Sequence, residues 1–207
     1  MRLPDAPGAP AALALVVLLS QTTSVRAQQC REPHYRWTAK TDTTLASVAP
    51  QPTSVTAILT TWAPPDLAAR DRCAPRAGRE RHVYRLTAWV RLVDRKQDDG
   101  DWHIELTARA DSPADSCIVT EIPLSQYGVR YERARAALDA VVGARKIGRT
   151  GVLRAPVRVQ ITGAAFFDGQ HRGGGRRSDK IDGEHGRCNS SVRALWEIHP
   201  VYSVTPR

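Results

Sequence analysis

From Arg81 to Leu92 the chain alternates: Tyr84, Leu86, Ala88, Val90 and Leu92 interleave with His82, Arg85, Thr87 and Arg91. A period of two sends successive side chains to opposite faces, so the run predicts a long, half-buried strand. The polar turn from Asp94 to Gly100 leads to a second alternation, with Trp102, Ile104 and Leu106 against Asp101, His103 and Glu105. A turn around Ser112-Pro113 precedes a third strand, Cys117 to Ile122, which Pro123 closes. Three such runs joined by short turns read as a meander. The period then changes: Tyr131, Ala134, Leu138 and Val141 share one helical stripe from about Val129, and Gly143 stands just past its end. A fourth strand runs from Ala155 through Val157, Val159 and Ile161 to Phe166-Phe167, and the last from Ala194 to Val204. Between them Gly169 to Ser191, polar and containing Gly173-Gly174-Gly175, reads as a long loop.

Ahead of the meander, Tyr35 to Lys40 reads as a short strand. Val55, Ile58, Leu59 and Trp62 then fall at helical spacing, with Thr53 or Ser54 as cap and Pro64-Pro65 as stop. Asp66 to Arg79, with its prolines and charges, reads as a loop. The order strand-strand-strand-helix-strand-strand matches a mainly β fold, an OB-like five-stranded β-barrel with an N-terminal helical extension. A different small α+β sheet packed on its two helices is the alternative. The chain divides accordingly into residues 1–27, 28–80 (the extension) and 81–207 (the barrel).

Residues 1–27 read as a secretory signal peptide. Arg2 lies near the start, Ala11 to Leu19 is apolar, and Val25-Arg26-Ala27 presents small residues for cleavage near Ala27. Nothing beyond it approaches the roughly 20 apolar residues of a membrane helix, so the expected location is secreted or periplasmic. Export makes disulfides the default for Cys30, Cys73, Cys117 and Cys188, whose wide separation argues against a four-cysteine zinc site. In an OB-like barrel the third and fifth strands run parallel, which brings Cys117 near Cys188. That leaves Cys30 to pair with Cys73.

At 42% hydrophobic and 25% charged, the 207 residues exclude a fibre, a fully disordered tail and a multi-pass membrane protein. The formal charge of +9 points to an anionic partner. Only four of the 30 basic residues are lysines and the arginines are scattered, so support for nucleic acid is weak.

Candidate chemistry sits in three acid–histidine segments: Asp101-Trp102-His103, Asp168-Gly169-Gln170-His171 and Glu197-Ile198-His199. Spacing of two places both side chains of the first and third on one strand face. Setting Ile118 beside Leu106 and Ile122 beside Trp102 puts Glu121 opposite His103, and the parallel fifth strand brings Glu197 and His199 to the same outer face. Asp101, His103, Glu121, Asp168, His171, Glu197 and His199 therefore form the candidate binding patch, suited in this fold to an anionic or oligomeric ligand. The rival is a metal-dependent hydrolase, with zinc or another divalent metal on His103, His171 and His199 and with Glu121 or Glu197 as general base. A third reading has the same residues only pinning loop ends by hydrogen bonds.

Four segments, RKQDDGDWHIE (95–105), IVTEIP (118–123), GAAFFDGQH (163–171) and WEIHPV (196–201), carry the patterns DGDxH, IxExP, GxxFFDxxH and E[LI]HPV. On these the chain resembles a family of exported bacterial proteins of uncharacterised function, over about Glu80 to Val204. The resemblance implies that Asp99, Asp101, His103, Glu121, Asp168, His171, Glu197 and His199 belong to one shared feature, and it implies no activity. This chain departs from the pattern in the segment Arg172 to Leu195, which is longer and holds a cysteine.

Overall fold

The computed structural model describes residues 30–143, 150–183 and 185–207, so the signal peptide expected over 1–27 lies outside the described residues. In chain order the elements are α1 (Trp37–Lys40), β1 (Gln51–Pro52), α2 (Val55–Thr61), β2 (Val83–Asp94), β3 (Trp102–Thr107), β4 (Cys117–Ile122), α3 (Val129–Val142), β5 (Val152–Phe167), β6 (Arg172–Gly173), β7 (Lys180–Ile181) and β8 (Trp196–Pro206). The strands pair in the order β2-β3-β4-β8-β5, and β5 returns to pair with β2, which closes a five-stranded barrel. Only the β4–β8 pairing within the barrel is parallel. This is the expected OB-like order, with α3 between the third and fourth barrel strands. β1 adds alongside β2 at Tyr84 and Arg85, beyond the reach of β3.

The alternation dictates the interior. Leu86, Val90, Ile104, Leu106, Ile118, Ile161 and Ile198 are fully buried, and Tyr131 and Leu138 of α3 join them. Along β2 the other parity, Arg85, Thr87, Trp89 and Arg91, is left wholly or partly exposed, as a half-buried strand requires. The β3–β4 register is the one that apolar parity predicts: Trp102 faces Ile122, Leu106 faces Ile118, and His103 faces Glu121. β5 begins at Val152, ahead of the expected Ala155. Pro156, which cannot donate to a ladder, falls where the pairing with β2 shifts register.

The extension is part of the same core. Ser54 caps α2 by accepting from the Ala57 N–H at 3.0 Å, and Val55, Ile58 and Trp62 pack into the barrel's apolar cluster. Burying side chains of that size stabilises the fold by about 1.5–3 kcal/mol each. The expected strand over Tyr35–Lys40 is instead the helical turn α1. The reason is Arg36, which takes a left-handed conformation (φ 49°) and turns its guanidinium inward to Glu80. The disulfides are Cys30–Cys73 and Cys117–Cys188. Among the described residues no helix is long and apolar enough to cross a membrane.

Candidate functional site

The outward parity of β3, β4 and β8 carries His103 and Glu105, Glu121, and Glu197 and His199. The expected outer face exists, but it is not open to solvent: Glu105, Glu121, Glu197 and His199 are all buried. Two segments roof it. From one side comes the extension, whose backbone passes so close at Leu67–Ala68 that a Cβ on Gly169 would meet it at 2.8 Å. From the other comes the 169–191 loop, stapled to the start of β4 by Cys117–Cys188. Arg187 ties the loop down again, giving its backbone N–H to Glu105 Oε1 at 3.0 Å and its Nε to Oε2 at 2.7 Å. What remains is a cavity of about 930 Å³, with Asp94 to Asp99 on one flank and Asp168 to His171 on the other.

The β2–β3 turn positions two of its acids. Gly100 has φ 79°, a conformation other residues rarely adopt, and a Cβ there would run into Leu124 at 2.7 Å. Asp99 Oδ1 accepts from the Asp101 N–H at 3.1 Å. Asp99 faces the cavity while Asp101 turns beneath it, fully buried.

A chain of acid–histidine contacts runs across the floor. His103 Nδ1 lies 3.2 Å from Glu121 Oε1, and His199 Nδ1 lies 3.0 Å from Glu121 Oε2 and 3.3 Å from Glu197 Oε2. The other oxygen of Glu197 lies 2.9 Å from His185 Nε2. His199 Nε2 is 3.1 Å from Asp101 Oδ2, near enough for an ion pair, although neither atom has a hydrogen-bond partner in line. At the loop mouth Asp168 Oδ2 holds His171 Nδ1 at 2.7 Å, and its Oδ1 accepts from the Gln170 N–H at 3.0 Å. Lys40 reaches in from the extension to within 3.6 Å of Glu121 and 3.8 Å of Asp99.

These contacts set the protonation. Burial works against a charged His103, but its carboxylate neighbours Glu105 and Glu121 prevail and push its pKa up to about 10. His171 is raised to about 9, burial again being outweighed, here by Asp168. His199, flanked by Asp101, Glu121 and Glu197, stands well above the ordinary range despite its burial. Burial would raise the Glu121 carboxyl, yet Lys40 and the two histidines hold it well below the usual range. Asp168 is lowered too, its burial overcome chiefly by His171. Asp101 goes the other way: its burial outweighs His199 and raises it.

Every residue of the expected patch is therefore at one place in the molecule. His103, Glu121, Asp168, His171 and Glu197 line the cavity, with Asp101 and His199 immediately under them. The three histidines expected to share a metal do not fall in one group. Among the described residues, His171 groups with Asp168 and His185, and His199 with Asp101 and Glu121, each group offering ligand atoms within 4.8 Å of one another. His103 belongs to neither. A third group, Glu105 with Cys117 and Cys188, has both sulfurs committed to a disulfide. Sequence reasoning missed Lys40, His185 and Arg187. His185 carried one usable signal, since it precedes by three residues the cysteine expected beside β4.

Trp89 lines a shallow groove with Ala140, Val141 and Pro206 beside α3. Compared with known protein families, with curated proteins and with solved structures, the chain matches none.

Proposed function

We propose that this is an exported binding protein in which a β-barrel, an N-terminal extension and a disulfide-stapled loop enclose a polar pocket for a small charged ligand. The observation that carries the reading is the charge of that pocket. Its lining holds seven carboxylates (Asp94, Asp98, Asp99, Glu105, Glu121, Asp168 and Glu197) against three permanently basic groups (Lys40, Arg72 and Arg187) and two histidines, His103 and His171, whose carboxylate neighbours keep them protonated at neutral pH, so the balance is still negative. On a chain of formal charge +9 this is a local reversal of sign. A pocket so lined favours an occupant that brings positive charge, either a divalent cation or an organic cation, and an anion enters only as that cation's companion. Its enclosure supports a small ligand, where an open barrel face would suit an oligomer.

The test is a thermal-shift series on the disulfide-intact protein with divalent metals, polyamines, inorganic phosphate and a short oligonucleotide. A ligand at a hundred times its dissociation constant adds about 2.7 kcal/mol to stability, a readily measured rise in melting temperature. The expected result is a rise with one or more cations and none with phosphate or oligonucleotide alone. A rise with the anions alone, or with nothing in the series, overturns the reading. The resemblance to exported proteins that share the same acid and histidine motifs supports both the location and the choice of site. The hydrolase reading draws on the same pocket through its two histidine-containing ligand groups.

A further inference from the structure

We infer that His171 and His185, with Asp168 and Glu197, form a binding site for a divalent transition-metal ion of the zinc type at the mouth of the 169–191 loop. This deepens the pocket reading and rests on it.

Hydrogen-bond counting at His185 comes first. Its Nδ1 lies 3.4 Å from the carbonyl oxygen of Cys188, and its Nε2 lies 2.9 Å from Glu197 Oε1. Both partners are acceptors, whereas a neutral imidazole has one N–H to give. With the N–H on Nδ1, the lone pair of Nε2 faces a carboxylate oxygen, so a positive centre, a second proton or a metal ion, belongs beside them. A metal ion supplies one: two ligand atoms on one tetrahedral zinc stand about 3.3 Å apart, given bonds of about 2.0–2.1 Å.

His171 completes the site. Asp168 accepts at Nδ1 and so fixes the ring with the Nε2 lone pair directed elsewhere, the carboxylate–histidine arrangement that orients metal-bound imidazoles. The two rings are neighbours, tilted by 51° with centroids 5.4 Å apart. Asp168, His171 and His185 each offer an atom within 4.8 Å of the other two. All four side chains line the cavity. Two imidazoles with carboxylates suit zinc, cobalt or nickel, whereas magnesium and calcium prefer oxygen throughout.

The deeper trio, Asp101, Glu121 and His199, is the competing location. Asp101 and His199 there are fully enclosed, only Glu121 of the three reaches the cavity, and His199 already sits between carboxylates on both nitrogens. The loop-mouth site differs in its access and in its consequence: His171 and His185 belong to the loop, while Asp168 and Glu197 belong to the ends of β5 and β8. An ion would cross-link the two.

The experiment uses the full chain, disulfides formed and metal stripped by chelator, titrated with cobalt(II) followed by its visible absorbance and then displaced by zinc(II). One equivalent is expected to bind, with the absorbance of a low-coordinate nitrogen–oxygen site and with protection of the Gly173–Arg177 segment from trypsin. His171→Ala, at the half-buried edge of the site, and His185→Ala are each expected to abolish saturable binding. Asp168→Asn weakens it about 10–100-fold, and Asp111→Asn, in an exposed turn away from the cavity, leaves it unchanged. Circular dichroism of the metal-free variants shows whether a loss comes from unfolding, and His171→Ala carries the test if His185→Ala does not fold. Absence of binding, binding that survives in a folded His171→Ala protein, or loss that also follows Asp111→Asn overturns the inference. If polyamines still stabilise the protein in that event, the pocket reading stands without the metal; if they do not, both fall.

Discussion

Two sets of buried charges pack against Phe166. The Arg36 guanidinium carbon is 4.9 Å from the centre of its ring, and the His199 ring centre is 5.5 Å from it. In the first set everything is matched. Arg36 meets Glu80 through two parallel contacts of 2.7 and 2.8 Å, its remaining N–H groups go to the carbonyls of Ala74, Pro75 and Phe167, and Glu80 also accepts from the backbone of Phe167 and Ala77. In the other set both oxygens of Asp101, Glu121 Oε2 and His199 Nε2 are buried with no hydrogen bond in line. A bidentate, fully satisfied pair holds the extension to the end of β5 and has nothing left to offer. The two sets differ in how fully their buried polar atoms are paired.

The sharpest way to break this contrast is to remove one partner from each set. Glu80→Gln strands a buried guanidinium and is expected to lower stability by about 3–5 kcal/mol in denaturant unfolding. Asp101→Asn removes one of three carboxylates around His199 and, by the same measurement, is expected to cost far less. Equal losses would mean that the histidine cluster is as structural as the Arg36 pair. Next in size, replacing Cys117 and Cys188 together by serine is expected to cost about 2–4 kcal/mol and to expose the loop to trypsin while the barrel's circular dichroism persists. A protein that loses its barrel spectrum would show that the loop is integral to the fold.

Acid–base behaviour sharpens the contrast further. His103 faces Glu105 and Glu121, which are themselves held by Arg187 and Lys40. Its folded pKa of about 10 lies above the value near 6.5 expected unfolded. A raised histidine contributes stability that is complete below the unfolded value and is lost as pH rises through the folded one. In chelator-treated protein the melting temperature is therefore expected to fall between about pH 6.5 and pH 10, and His103→Gln is expected to flatten that fall. Glu80→Gln would leave the slope in place, because its guanidinium partner does not titrate there. The smallest effect belongs to neither charged set: Ser54→Ala removes the cap of α2 and costs about 1 kcal/mol in the same unfolding assay.

The barrel and most of the floor of the pocket were legible in the sequence because a strand's period ties register to composition. Once Leu106 and Ile118 have to face one core, His103 has no partner but Glu121, and the parallel neighbour that apposes Cys117 and Cys188 also delivers Glu197 and His199. The roof was not legible, because no period encodes it. Tyr35–Lys40 looks extended by its residues, yet Arg36 obeys Glu80, which lies 44 positions away and carries no local trace of the pairing. Lys40 and Arg187 likewise read as ordinary surface cations until the segments that bear them fold over the face. The same gap explains why a patch expected on the surface is an interior.

Each half of that roof is fastened by its own disulfide, Cys30–Cys73 in the extension and Cys117–Cys188 at the loop, and neither bridge joins one barrel strand to another. The oxidation state of four sulfurs therefore bears on the cavity far more than on the barrel. Under reducing conditions the same chain would keep its sheet and present an open, acidic face where the oxidised protein has a chamber. On the proposed function, the enclosed pocket would then depend on an oxidising environment for its roof.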